Sequence, residues 1–269
     1  MATDGPLWLI GAGNMGGAML RGWIGAGRDP ATIVVIDPAV QGLPDGVTVL
    51  AAPPPDGAVP AVVVLAVKPQ LLDSVAPGLA PMLAAETTLV SILAGVEIAS
   101  LRRRFPRPAG VVRAMPNLPA AIGRGVTALY GERLDTGGRT LAETLVAPLG
   151  LVEWIDREDL FDAVTALSGC GPAFLFRFVE AMADAGAALG LPADQAARLA
   201  LATVEGSAIM AAAAGEPAAV LADRVASPGG STREGMNVLD AGDTLKALLR
   251  ATLAASAARN AELAAAARG

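Results

Sequence analysis

The stretch Pro6-Leu7-Trp8-Leu9-Ile10, running into Gly11-Ala12-Gly13-Asn14-Met15-Gly16 and on through Gly17 to Ile24, decides the reading of this chain. An apolar run of strand length passes into a G-x-G-x-x-G turn, and that turn opens a segment of helical composition. In such a turn the first glycine permits a tight bend and the second lets the backbone approach a pyrophosphate. The third lets helix and strand pack closely, with the helix N-terminus facing the anion. The alternative is a glycine-rich βα turn that binds nothing. The strand before, the helix after and an acidic residue 21 positions beyond Gly16, Asp37, favour the dinucleotide reading.

Outward from this stretch, further apolar runs span Thr32 to Ile36, Ala61 to Val67, Thr87 to Leu93 and Gly110 to Met115, with helical segments at Asn14 to Ile24, Gln70 to Leu83 and Val96 to Arg104 between them. Runs that are nearly continuous in Val, Ile and Leu fit strands buried on both faces, so the pattern predicts an open α/β domain built on a parallel sheet. Gly125 to Tyr130 and Leu151 to Ile155 extend the sheet and flank a helix capped at Asp135 or Thr136. Beyond Ile155 the strand signal stops. The rest is Ala-rich and helical, broken at Ser168 to Pro172, Gly190 to Pro192, Gly215 to Pro217 and Ser227 to Gly230, with a last helix opening at Asp243. Two domains are therefore expected: residues 1–157 for the cofactor, and residues 158–269 as an all-helical domain for dimerisation and substrate.

Composition narrows the function. Twenty basic against 26 acidic residues give a net charge of −6, which disfavours an extended basic footprint for nucleic acid or anionic lipid. The absence of histidine and the single Cys170 disfavour a metal site, a disulfide and a histidine-based triad. The longest stretch without a charged residue is Gly5 to Leu20, 16 residues interrupted by glycines and short of a spanning helix. No basic residue precedes the first apolar run, so the cytoplasm is the expected compartment. Ala-rich, apolar helices after Gly171 point to a homodimer or a larger assembly of dimers.

The candidate site residues lie at strand ends and helix starts. Asp37 closes the second strand, where a carboxylate accepts hydrogen bonds from an adenosine ribose and repels a 2′-phosphate; the competing reading is a turn residue before Pro38. No Lys or Arg occurs between Arg28 and Lys68, so the local chemistry leans toward NADH, with NADPH still open. Ala66-Val67-Lys68-Pro69, Ser91 to Gly95 and Arg113 to Asn117 each end a strand on the rim where ligands of parallel sheets sit. In the helical half, Ser227-Pro228-Gly229-Gly230-Ser231-Thr232 precedes a helix whose first N–H groups suit a carboxylate. A plain interhelical turn would read the same way.

Together GAGNMG (11–16), AVKPQ (66–70), SILAG (91–95), RAMPN (113–117), ALSGCGPAF (166–174) and SPGGST (227–232) resemble the pyrroline-5-carboxylate reductase family in order and spacing. The resemblance implies a Rossmann-type domain followed by a helical dimerisation domain, with NAD(P)H as hydride donor. It implies reduction of 1-pyrroline-5-carboxylate to L-proline. Carried over, Gly11, Gly13, Asn14, Met15 and Gly16 hold the pyrophosphate, and Ala66, Val67, Lys68, Pro69, Ala94, Gly95 and Asn117 line the nicotinamide side. Ser227, Gly229, Gly230, Ser231 and Thr232 hold the substrate, with Thr232 also catalytic. The chain departs from the family at Leu118, usually Thr, at Cys170, usually Ser, and at Phe174, often Tyr. It also departs at Pro53-Pro54-Pro55, in a loop that often supplies a polar cofactor contact. Two rivals remain: another two-domain reductase, such as a β-hydroxyacid dehydrogenase or an imine reductase for a different ring, and a catalytically silent cofactor sensor. A β-hydroxyacid dehydrogenase should carry a Lys on the long helix after the domain boundary, and there is none from Ile155 to Val238. The sensor should show damage at Ser227 to Thr232, which is intact.

Overall fold

The computed structural model describes residues 5–54 and 58–268, the last three of these by their backbone alone. Eight strands form one sheet: β1 (Leu7–Ile10), β2 (Ile33–Ile36), β3 (Thr48–Leu50), β4 (Val62–Leu65), β5 (Thr88–Ser91), β6 (Gly110–Pro116), β7 (Gly125–Glu132) and β8 (Gly150–Trp154). Their order is β3-β2-β1-β4-β5-β6-β7-β8. β1 is central, with Leu9 opposite both Val35 and Val64.

The first six strands are parallel. β7 pairs antiparallel with β6, Arg113 opposite Tyr130, and β8 runs parallel to β7. The parallel sheet expected from the sequence therefore turns over at its far edge, because the short 3₁₀ connection Leu118–Ile122 returns the chain directly instead of by a crossover helix. The strand β3 at the opposite edge is only three residues long, Thr48-Val49-Leu50, and two of the three are exposed.

Period-two alternation sends Leu7 and Leu9 to one face, and Trp8 and Ile10 to the other. On the first face pack α1 (Asn14–Gly25) and α4 (Thr136–Val146), through Met19, Leu20, Trp23, Leu145 and Val146. On the second pack α2 (Leu72–Leu79) and α3 (Ile98–Arg104), through Leu72, Leu79, Ile98 and Leu101. Asp135 caps α4, its side chain accepting from the Gly138 N–H at 2.7 Å. α2 is shorter than its apolar pattern predicts, since 3₁₀ turns at Pro69–Leu71 and Ala80–Met82, with a proline at the first position of one and the second of the other, take its ends.

After a short α5 (Phe161–Val164) and a π-helical turn at Thr165–Gly169 the chain is helical: α6 (Gly171–Ala188), α7 (Ala193–Ala214), α8 (Ala218–Arg224), α9 (Ser231–Asp240) and α10 (Thr244–Arg268). Packing groups the described residues through Cys170 with those from Ser256 onward, and Gly171–Ala255 as a second unit. A division at 157/158 instead follows the change from strands to helices. Within the second unit α6 and α7 pack on each other, and both present apolar side chains to solvent, among them Phe176, Phe178, Leu199, Leu201, Ile209 and Met210. α7 is long and apolar enough by composition to cross a membrane, with 11% of its most apolar stretch buried. Asp194, Arg198 and Glu205 interrupt it, so it contains no long charge-free run.

One buried hydrogen bond ties α1 to α4: the Trp23 indole N–H donates to the Leu145 carbonyl at 2.6 Å. Trp23→Phe leaves that carbonyl unpaired in the core and is expected to cost about 1–3 kcal/mol, read as a lower midpoint in urea unfolding at matched protein concentration.

Candidate active site

The glycine turn behaves as three different glycines. Gly11 takes φ +88°, and a Cβ there would meet the Ala66 carbonyl oxygen at 2.9 Å. Gly16 sits so close to β1 that a Cβ would lie 2.3 Å from the Gly11 carbonyl oxygen. Gly13, by contrast, faces open space, with nothing within 4 Å of where its Cβ would be. Gly11 and Gly16 are buried, Gly13 and Asn14 exposed, and Met15 half-buried. The start of α1 has no side-chain cap and no acidic residue in its first turn. Its first N–H groups, which have no partner within the helix, are thus left for an anion beside Gly13.

A cavity of about 650 Å³ opens over this turn, lined by Gly11, Gly13, Asp37, Ala66, Val67 and Lys68, together with Pro38, Ala52, Pro53, Leu71 and others. Its size suits a cofactor. Asp37 does more than line it. Oδ2 accepts from the Ala12 N–H at 2.9 Å, so the carboxylate braces the glycine turn, and Oδ1 accepts from the Ala39 N–H at 2.9 Å in an Asx turn. Of the two readings of Asp37, turn residue and wall of the adenosine side, the geometry accommodates both. Lys68 is the one cation among the described lining residues, and it precedes the 3₁₀ turn opened by Pro69. Pro53 is on the wall, while Pro55 lies outside the described residues.

A second cavity of about 380 Å³ brings together Pro69, Ala94, Gly95 and Val96 with Arg113, Met115, Asp162 and Thr165. Asn260 and Leu263, from the end of α10, form part of its wall, and the Ala264 backbone lies 3.4 Å from where a Gly95 Cβ would stand. Arg104 also lines it. The Arg104 guanidinium donates to Asp73 at 2.6 Å and holds that carboxyl below the usual carboxylate range. Sequence reasoning missed Asp162, Thr165 and the α10 residues, because nothing local marks a helix end that folds back on a strand end far earlier in the chain. Asn117 is placed differently from the other rim residues. It is buried, its amide donating to the Ser168 carbonyl at 3.0 Å and its carbonyl accepting from the Val126 N–H at 2.8 Å. Its side chain ties the β6–β7 connection to the π-helical turn.

In the second unit, Ser227 to Gly230 form a β-turn closed by the Gly230 N–H on the Ser227 carbonyl at 3.0 Å. Gly229 takes φ +72°, and a Cβ on Gly230 would press on the Ser227 hydroxyl at 2.9 Å. α9 starts directly after it, without a side-chain cap, and Ser227, Gly229, Ser231 and Thr232 are exposed. Of the departures from the family pattern, Leu118 is exposed and Phe174 half-buried, and the Cys170 sulfur accepts from the Ser256 hydroxyl at 3.2 Å. Among the described residues no group of three or more metal-ligating side chains comes together.

Comparison with known proteins agrees with this geometry. The family model described as pyrroline-5-carboxylate reductase dimerisation matches residues 158–263, and the one described as NADP oxidoreductase coenzyme F420-dependent matches residues 7–95. The pyrroline-5-carboxylate reductase of Pseudomonas aeruginosa is 38% identical over 95% of this chain and 96% of its own length, and that of Glycine max is 38% identical over 95% of each. Among solved structures, the Coxiella burnetii pyrroline-5-carboxylate reductase superposes with a TM-score of 0.87 at 34% identity, covering 97% of this chain and 99% of that one. The Plasmodium falciparum pyrroline carboxylate reductase, solved with NADP bound, gives 0.80 at 25% identity, covering 97% and 98%. With strand, glycine turn, rim motifs and helical half all inside alignments of this length, the chain belongs to the pyrroline-5-carboxylate reductase family of NAD(P)-dependent oxidoreductases.

Proposed function

We propose that the chain reduces 1-pyrroline-5-carboxylate to L-proline, the last step of proline biosynthesis, with NAD(P)H as donor. The observation that carries this reading is the alignment of nearly the whole chain with reductases of that name. Gly11, Gly13, Asn14, Met15 and Gly16 hold the pyrophosphate on the uncapped start of α1, in the space left open over Gly13. Ala66, Val67, Lys68, Pro69, Ala94 and Gly95 line the nicotinamide side, and Asn117 supports it by fixing the end of β6. The bound cofactor supplies the hydride.

NADH is the preferred donor in this reading. Asp37 keeps a carboxylate on the cavity wall, fixed there by two backbone N–H groups, and Lys68 is the only cation among the described lining residues to offset it. A 2′-phosphate would meet like charge.

The free N–H groups at the start of α9, with Ser227, Gly229, Gly230 and Ser231 around them, take the substrate carboxylate, and the Thr232 hydroxyl holds the ring nitrogen. An imine protonated on nitrogen already carries the charge that makes its carbon a hydride acceptor. A chain without histidine can therefore promote the reaction by positioning alone. The reading carries with it a cytoplasmic setting and a homodimer, or a larger assembly of dimers. The apolar side chains exposed on α6 and α7 support association, as does the dimerisation family model over this segment.

Purified protein given 1-pyrroline-5-carboxylate with NADH or NADPH in separate reactions should yield proline, faster with NADH. Cofactor binding without turnover would move the sensor or a different imine to the front, and an NADPH advantage would refute the role given to Asp37. Thr232→Ala should lower kcat by about 100-fold while leaving the Kd for NAD(P)H unchanged, as for loss of one well-placed polar contact at the reacting centre; an unchanged kcat removes Thr232 from this role.

A further inference from the structure

Glu158 belongs to no motif, yet two separated parts of the first unit meet on it. Its Oε1 accepts from the Arg113 guanidinium at 2.8 Å and from the Ile98 backbone N–H at 2.8 Å. Arg113, in the middle of β6, keeps only 9% of its side chain exposed and Glu158 22%. A cation this deep in a fold is tolerated when paired, and losing its partner leaves a buried charge uncompensated. The Arg113 guanidinium carbon also lies 4.5 Å from the Phe161 ring centroid, and Phe161 meets Tyr130 edge-on at 6.4 Å. Burial first, then the charges of Glu132, Glu158 and Asp159, push the Tyr130 phenol up.

The Ile98 N–H opens α3, and the stretch Ala94-Gly95-Val96 ends one residue before it, across the N-cap Glu97, with Gly95 at φ +73°. Ala94, Gly95, Val96 and Arg113 all line the smaller cavity. One carboxylate oxygen thus fixes both the helix start that follows that turn and the side chain beside it. Resting on the cofactor reading above, we propose that Glu158 is a positioning residue for the nicotinamide end of the cofactor. By holding Arg113 and the Ile98 amide together it sets the Ala94-Gly95-Val96 turn against which that ring binds.

A purely structural role and a positioning role separate when two ligands are titrated. NAD(P)H reaches both cavities, whereas ADP-ribose, which lacks the nicotinamide, tests the larger one alone. Glu158→Ala is expected to weaken NAD(P)H by about tenfold, and Glu158→Gln, which keeps an acceptor for Ile98 but no charge for Arg113, by a smaller factor. ADP-ribose should bind both variants as it binds the parent chain. Equal losses for the two ligands, or none for NAD(P)H, would overturn the proposal, and so would a parent chain that binds neither, which fails the cofactor reading itself. Should Glu158→Ala not fold, Glu158→Gln, matched in shape, carries the same comparison. Because binding is read without the imine, the outcome does not depend on which substrate is reduced.

Discussion

No methyl group fits between α1 and the carbonyl oxygen of Gly11. That close approach at Gly16 is the constraint from which the cofactor site follows. With the helix pressed onto the end of β1, its first turn stands at the carboxyl edge of the sheet, where the parallel strands β4 and β5 also end. Asp37 secures the same turn from the β2 side through the Ala12 N–H. The surface proposed for the cofactor's pyrophosphate is thus an outcome of packing: Gly11 bends, Gly16 lets the helix in, and Gly13 is left facing empty space.

The second edge of the site is held by different physics. The turn after β5 gains its place from a polar join, in which Glu158 gathers a strand side chain and a helix amide, and from the end of α10 laid against Gly95. Hydrophobic layers fix the sheet and its flanking helices, because both faces of the central strands are covered. Polar groups then set the rim, where a displacement too small to unfold the protein is large enough to disturb a bound ring.

Much of this was legible in the sequence, for physical reasons that differ by element. β1, β2, β4 and β5 are read correctly because strands buried on both faces must be apolar throughout. The glycine turn and the cap at Asp135 are local devices and declare themselves locally. The strand β3 and the reversal at β7 do not, since an edge strand buries little and direction depends on the length of a connection. In the site, the double engagement of Asp37 and the structural use of the Asn117 side chain depend on partners that only the fold brings near. Glu158 was invisible for the same reason, its partners lying 45 and 60 residues away. The exposed apolar faces of α6 and α7 were foreshadowed by an Ala-rich composition too apolar for solvent, though not by any charge-free run.

In the function proposed, the space over Gly13 exists for an anion and serves no purpose in folding. Gly13→Ala tests it directly, since the added methyl meets no atom of the protein. Gly13→Ala is expected to keep its melting temperature and to lose NAD(P)H affinity by about tenfold or more, as when a side chain bars backbone from a pyrophosphate. Unchanged affinity in the folded variant would contradict it.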